Sequence, residues 1–210
     1  MRILFRTYFV LVAVSVLLLV GCGGGEQSYT ATFDDAGTWH TGSDTYTEGS
    51  VHDGVYDLFV PGDDVSRWSA AGQNFGDGRY QVEATQVEGP LDNGYGMLIR
   101  ANAEKGDFYL FKISGDGYVW IGRYADAAEQ QALVGEHWFE SAAVRQGLDQ
   151  TNTLRIDAES GNLIFFVNDQ QVGRVTDSTY AQGDIGLFVE TLGQGGVRIH
   201  FDNFSITPTK

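Results

Sequence analysis

GYGMLIRANAEKGDFYLFKISGDGYVWIGRY, residues 94–124, decides how this chain folds. With Ala125 after it, it makes three short runs, GYGMLIRA (94–101), DFYLFKIS (107–114) and GYVWIGRYA (117–125), each rich in β-branched and aromatic residues. EKGD (104–107) and SGDG (114–117) separate them, and glycine supplies the positive φ that tight connections need. Such runs read as antiparallel strands joined by hairpins. Strict alternation then puts Tyr118, Trp120 and Tyr124 on one face of the third strand, and Val119, Ile121 and Arg123 on the other. On the neighbouring strands, Arg100 closes the set Gly96, Leu98, Arg100, while Lys112 belongs with Phe108 and Leu110. A charge at the end of an apolar set predicts a face that reaches solvent, because unpaired charges are rarely buried.

The same pattern extends outward. YTATF (29–33), GVYDLFV (54–60), RWSAAG (67–72) and RYQVEATQVEG (79–89) precede the block. NTLRIDAES (152–160), NLIFFVN (162–168), QVGRVTD (171–177), DIGLFVE (184–190) and GVRIHFDNFSI (196–206) follow it. Only residues 125–144 could contain a helix, and they lack a sustained 3.6-residue apolar stripe, so strand and loop are expected there. There are three prolines, no second linker and no repeat of solenoid period. The expectation is one all-β domain over 29–207, a jelly-roll sandwich of two antiparallel sheets.

Taken in order, the 94–124 block, NTLRIDAESGNLIFFVNDQQVGRVTDSTYAQGDIGLFVE (152–190) and the closing VRIHFDNFSI resemble the concanavalin A-like lectin/glucanase superfamily. Within it they are most similar to exported bacterial domains named after family 16 glycosidases and 3-keto-disaccharide hydrolases. The resemblance implies a jelly roll with one concave and one convex sheet. It also implies pairing of the first and last strands, with a structural calcium ion near them. Here that would bring Asp34 and Asp35 close to Asp202, as hard oxygen ligands completed by backbone carbonyls.

Function is less legible. Family 16 glucanases carry E-x-D-x-E or E-x-D-x-x-E on one strand, which sets carboxylates on one face for retaining hydrolysis. Asp157 and Glu159 alternate in LRIDAES, but no third carboxylate continues the motif, and Glu83, Glu88, Glu136 and Glu140 do not supply it. His40, His52, His137 and His200 are scattered without a metal-ligand spacing, and no G-x-S-x-G elbow occurs. No catalytic residue is assigned. The leading expectation is a non-catalytic lectin-like domain with a carbohydrate ligand. Tyr118, Trp120 and Tyr124 would offer ring faces, and Arg100 and Lys112 would offer donors to hydroxyls. The alternatives are a glycosidase or lyase acting on (3-keto-)glycosides, and an architectural envelope protein that binds other proteins.

The N-terminus concerns location. Arg2 and Arg6 precede an apolar run from Phe9 to Val20, about the length of an export-signal core and shorter than a spanning helix. Leu19-Val20-Gly21-Cys22 then resembles the lipobox of bacterial lipoproteins. In that family the cysteine is diacylated and becomes the first residue. Residues 1–21 are thus expected as signal and 22–28 as a short tether, with the domain extracytoplasmic and held to a bacterial membrane by lipid. Cys22 is the sole cysteine, so no disulfide can form within the chain. Net charge is −15, and −17 once Arg2 and Arg6 are removed, which argues against nucleic acid as a partner. A Cys22→Ser chain should lose incorporation of a palmitate analogue and stay uncleaved after Gly21. Label retained on that variant would refute the assignment.

Overall fold

The computed structural model describes residues 28–126 and 129–209. The expected signal segment, 1–21, and Cys22 lie outside them. Fifteen strands run in chain order: β1 (Tyr29–Ala31), β2 (Gly42–Ser43), β3 (Glu48–His52), β4 (Val55–Val60), β5 (Ser66–Ala70), β6 (Gly78–Glu88), β7 (Gly94–Asn102), β8 (Asp107–Ser114), β9 (Tyr118–Ala125), β10 (Glu129–Glu140), β11 (Thr151–Glu159), β12 (Asn162–Val167), β13 (Gln170–Thr176), β14 (Asp184–Glu190) and β15 (Val197–Thr207). One sheet has the order β13-β12-β11-β6-β15-β4-β3-β2, with β1 also paired to β15; the other runs β10-β9-β8-β7-β14-β5. Every registered pairing is antiparallel. No helix occurs among the described residues, and 129–140 is a strand. Register shifts after Ala132 and Val134 break the alternation of β10, which explains its irregular sequence pattern.

The larger sheet follows simple alternation. On β6, Tyr80, Val82 and Ala84 face inward while Arg79, Gln81, Glu83 and Thr85 face out. β11 repeats the pattern with Leu154, Ile156 and Ala158. These side chains pack on Met97, Ile99, Phe111, Ile113, Val119 and Ile121 of the smaller sheet to form the main core. Phe111 and Phe165 meet edge to face across it, ring centroids 5.3 Å apart. The smaller sheet differs: β7, β8 and β14 are buried at almost every position. Both of its faces are therefore covered.

Arg100 corrects the alternation reading. The β7–β8 register slips between Ile99 and Asn102, and Arg100 takes a φ of +55°, so its side chain leaves the Gly96/Leu98 face. The guanidinium is buried at one end of the sandwich. There it donates to Tyr180 O at 3.0 Å and pairs with Asp77 at 2.8 Å. Burial pushes the adjacent Tyr80 phenol up to about 12, although the charge of Arg100 opposes this. Arg100 thus ties the Gly76–Asp77 turn and the 177–183 loop to β7, with its side chain only 1 % exposed.

Candidate functional site

The outer face of the six-stranded sheet carries a second apolar cluster: Leu98, Phe108, Leu110, Trp120, Tyr124 and Phe188, with Trp138 packed against it. Alternation sets Trp120 with Tyr124 on one strand and Lys112 with Phe108 and Leu110 on the next, and the β8–β9 register, with Lys112 opposite Trp120, puts both sets on this face. The face does not leave them in solvent, however. Trp120 and Tyr124 are each 5 % exposed and Lys112 is 2 % exposed. The charge on Lys112 is buried because it has a partner. Its Nζ lies 2.5 Å from Glu190 Oε1, on a strand two places away.

The intervening β7 makes that reach possible. Gly96 stands opposite Lys112 and Gly94 stands opposite Glu190. A Cβ on Gly94 would sit 2.7 Å from Glu190 Oε1, closer than non-bonded atoms approach. Glycine at this position leaves the channel through which the ion pair forms. Three rings surround the ammonium, those of Trp120, Trp138 and Phe188, with centroids 4.7, 5.0 and 5.6 Å away. Burial lowers the Lys112 pKa, while the charge and hydrogen bond of Glu190 oppose the shift. Tyr124 stacks on Phe108 at 4.7 Å, and its buried hydroxyl has no protein partner. Burial, and then the Glu190 carboxylate, push that phenol well above its ordinary range.

Around this buried centre two rings are open. Tyr118 on β9 is 39 % exposed, and Trp68 on the edge strand β5 is 42 % exposed. Trp68 leans on Phe108 at 5.8 Å. It also forms one wall of a cleft of about 150 Å³ between the β5 edge and strands β2–β4. Tyr56, Leu58 and Ser69 line that cleft, together with His40, Asp44 and Arg67. Arg67 lies over the exposed Tyr46 ring at 4.5 Å, and the buried Ser69 Oγ has no partner. Aromatic faces beside planar and hydroxyl donors can hold a ring that is apolar on its face and polar at its edge. Sequence reading overlooked Glu190 and Trp68. Glu190 ends the quoted DIGLFVE run, and an acid at the end of an apolar strand was the available signal for a partner to Lys112.

The expected calcium ligands are placed as follows. β1 pairs with β15, Ala31 opposite Phe204, so the first and last described strands do meet. Asp34 accepts a hydrogen bond from Thr32 Oγ1 at 2.7 Å, and Asp202 accepts one from the Asn203 amide at 2.6 Å. Burial raises the Asp202 carboxyl, and the charges of Glu83 and Asp34 add to that against the Asn203 bond. Asp35 accepts the Gly37 amide at 2.9 Å and closes its own turn. Asp34 and Asp202 thus lie near enough for their charges to interact, whereas Asp35 is engaged in its own turn.

No protein-family model matches the chain, and no curated protein matches it in sequence. Solved structures do match in fold. The carbohydrate-binding module CBM66 from Bacillus subtilis superposes with a TM-score of 0.60 at 15 % identity, covering 86 % of this chain and 95 % of that one. A B. subtilis protein of unknown function with a galectin-like fold gives 0.60 at 12 %, over 85 % and 94 % of the two chains. A Bacillus licheniformis β-glucanase gives 0.58 at 15 %, over 87 % and 98 %. The fold is thus the concanavalin A-like jelly roll that the sequence blocks resemble.

Since Trp120 is enclosed by the outer cluster, Trp120→Ala should cost ~3–5 kcal/mol of stability, as core tryptophans do. Urea unfolding reads it as a large fall in midpoint at unchanged slope. An unchanged midpoint would show that the ring is not part of a packed cluster.

Proposed function

We propose that this chain is a lipid-anchored, extracytoplasmic glycan-binding protein, non-catalytic, whose binding surface is the outer face of the six-stranded sheet with its Trp68 edge. One observation carries the reading: Trp68 and Tyr118 stay open on a face whose other aromatics, Phe108, Trp120, Tyr124 and Phe188, are buried, with Trp138 partly so. Singly exposed aromatics are ordinary on a protein surface. Two that flank a rigid, pre-organised aromatic floor are suited to stack on the apolar faces of sugar rings. Arg67, Asp44 and His40 around the adjoining cleft supply hydrogen bonds to hydroxyls. Among the fold relatives, one is a carbohydrate-binding module and another a β-glucanase.

The non-catalytic part rests on the carboxylates. Glycoside hydrolysis needs two carboxyls flanking the scissile bond, ~5–5.5 Å apart for retention and ~6.5–9.5 Å for inversion. Glu190 is the sole buried carboxylate on this face among the described residues, and Lys112 holds it. The anchor rests on the lipobox-like ending at Cys22, and the acidic net charge leaves a neutral glycan as a compatible partner.

We also propose a structural calcium ion held by Asp34, Asp202 and backbone carbonyls where β1 meets β15. Excess calcium should raise the melting temperature of the chelator-treated chain, because an ion that binds only the folded state stabilises it. No shift between calcium and chelator would remove the ion.

A glycan array probed with the detergent-solubilised chain tests the main proposal, with product analysis of each glycan retained. Trp68→Ala and Tyr118→Ala should together weaken retention by roughly an order of magnitude, with the urea midpoint nearly unchanged. Retention equal to wild type would move the binding surface elsewhere, and cleaved product would overturn the non-catalytic reading.

A further inference from the structure

The nine-stranded sheet turns a very different face to solvent. On its outer side β3, β4 and β15 lie side by side, and their outward positions bring together His52, Asp57 and His200. His200 stands directly opposite Asp57 in register, and His52 lies at the β3–β4 turn, paired with Val55. Tyr56, Leu58, Ile199 and Phe201, the alternate residues, are buried in the main core and fix which way the three side chains point. His52 Nε2 lies 3.0 Å from Asp57 Oδ2, and His200 Nε2 lies 3.6 Å from the same oxygen. All three ligand atoms fall within 4.8 Å of one another, and this is the one such trio among the described residues.

We propose that His52, Asp57 and His200 bind a divalent first-row transition-metal ion of the zinc class. Two imidazole nitrogens and one carboxylate oxygen are a donor set for zinc, cobalt, nickel or copper, whereas calcium and magnesium take oxygen. Metal–ligand bonds of ~2.0–2.2 Å in tetrahedral geometry place ligand atoms roughly 3.3–3.6 Å apart, so the trio needs only small side-chain rotations. The two imidazoles lie edge to face, interplanar angle 87°, and are therefore not stacked against each other. Both are partly open, with side chains 45 % and 30 % exposed, so a metal can enter.

The surroundings are those of a supported site. The other nitrogen of His52, Nδ1, lies 3.5 Å from Asp53 Oδ2, a carboxylate placed to orient a ligating ring. Arg198 Nη1 donates to both oxygens of Asp57, at 3.0 and 2.9 Å. Its guanidinium rests on the Phe59 ring at 4.3 Å and reaches Glu88 at 3.3 Å. With metal bound through Oδ2, Arg198 keeps Oδ1 and holds the carboxylate in place. Asp53, Asp57 and Glu88 carry three negative charges against the one positive charge of Arg198, so a divalent ion brings the cluster to neutrality. Three protein ligands leave a coordination position free. His200 also borders a depression of about 200 Å³ with Glu83, Thr85, Thr151 and Asp202, which gives that position access to water or an oxygen-donor ligand.

The test uses the full chain in detergent, stripped with chelator and alkylated at any free Cys22 thiol. Titration with Co²⁺ should saturate at one equivalent with the visible d–d absorption of a low-coordinate nitrogen–oxygen site, and Zn²⁺ should abolish that signal. His52→Gln and His200→Gln should each weaken binding by more than the roughly 10–100-fold expected of an outer-sphere change. Both substitutions leave the Asp57–Arg198 pair in place, so the urea midpoint should hold. His40→Gln and His137→Gln should bind as wild type. Absence of the absorption, binding that survives the His52→Gln/His200→Gln double change, or displacement of Co²⁺ by millimolar calcium would each overturn the proposal.

Discussion

The six-stranded sheet has to bury both of its faces, and much of the molecule follows from that. An antiparallel sheet in a sandwich normally gives one face to the core and the other to water. Here β7, β8 and β14 are apolar on both sides. The inner set builds the core between the sheets, and among the described residues the outer set has no second layer to pack against. It is covered from within, by Trp120, Trp138 and Phe188 closing over Lys112 and Glu190. A charge in such a cover is tolerated only with its counter-charge, and breaking a buried pair typically costs ~3–5 kcal/mol. The small residues then have a defined place. Gly94 clears the line between the charges, and Gly122 accommodates the Trp120 ring, whose Cη2 lies 2.5 Å from where a Cβ would stand.

The two open edges of the sandwich are treated differently. At one, β13 closes on β9 and β10 so tightly that a Cβ on Gly173 would meet Ile121 Cδ1 at 2.7 Å. At the other, β5 and β2 stay apart and leave the Trp68 cleft between them. The outer side of the larger sheet is stabilised by guanidinium groups lying on rings, Arg155 over Phe166 at 4.0 Å and Arg198 over Phe59 at 4.3 Å. A single fold thus presents an aromatic face, a cleft and a charged face.

Local pattern sufficed for the strands and for much of the outer cluster, because period-2 alternation is a local property. It grouped Trp120 with Tyr124 on one strand and Lys112 with Phe108 and Leu110 on the next, and only the β8–β9 register joins the two sets. It failed at Arg100, where the register slips and a positive φ turns the side chain away, and nothing in GYGMLIRA marks that point. It also missed β3, whose EGSVH carries glycine and charge where a strand usually shows branched residues. Lys112 and Glu190 are 78 positions apart, and Asp57 and His200 meet because β15 pairs with β4. Pairings of that range are properties of the whole topology. The histidines therefore read as scattered in the sequence and converge only in the fold.

The pairing of β1 with β15 joins residues 29–31 to residues 204–206, and β5 likewise waits for β14. Neither sheet can be completed until nearly the whole chain has been made. Native contacts of such long sequence separation must close large loops before they repay the lost entropy, so such chains fold on the slow side, over milliseconds to seconds. Until β14 and β15 have been made, β5 and β1 have no strand to pair with, so their unpaired backbone groups depend on water in the meantime.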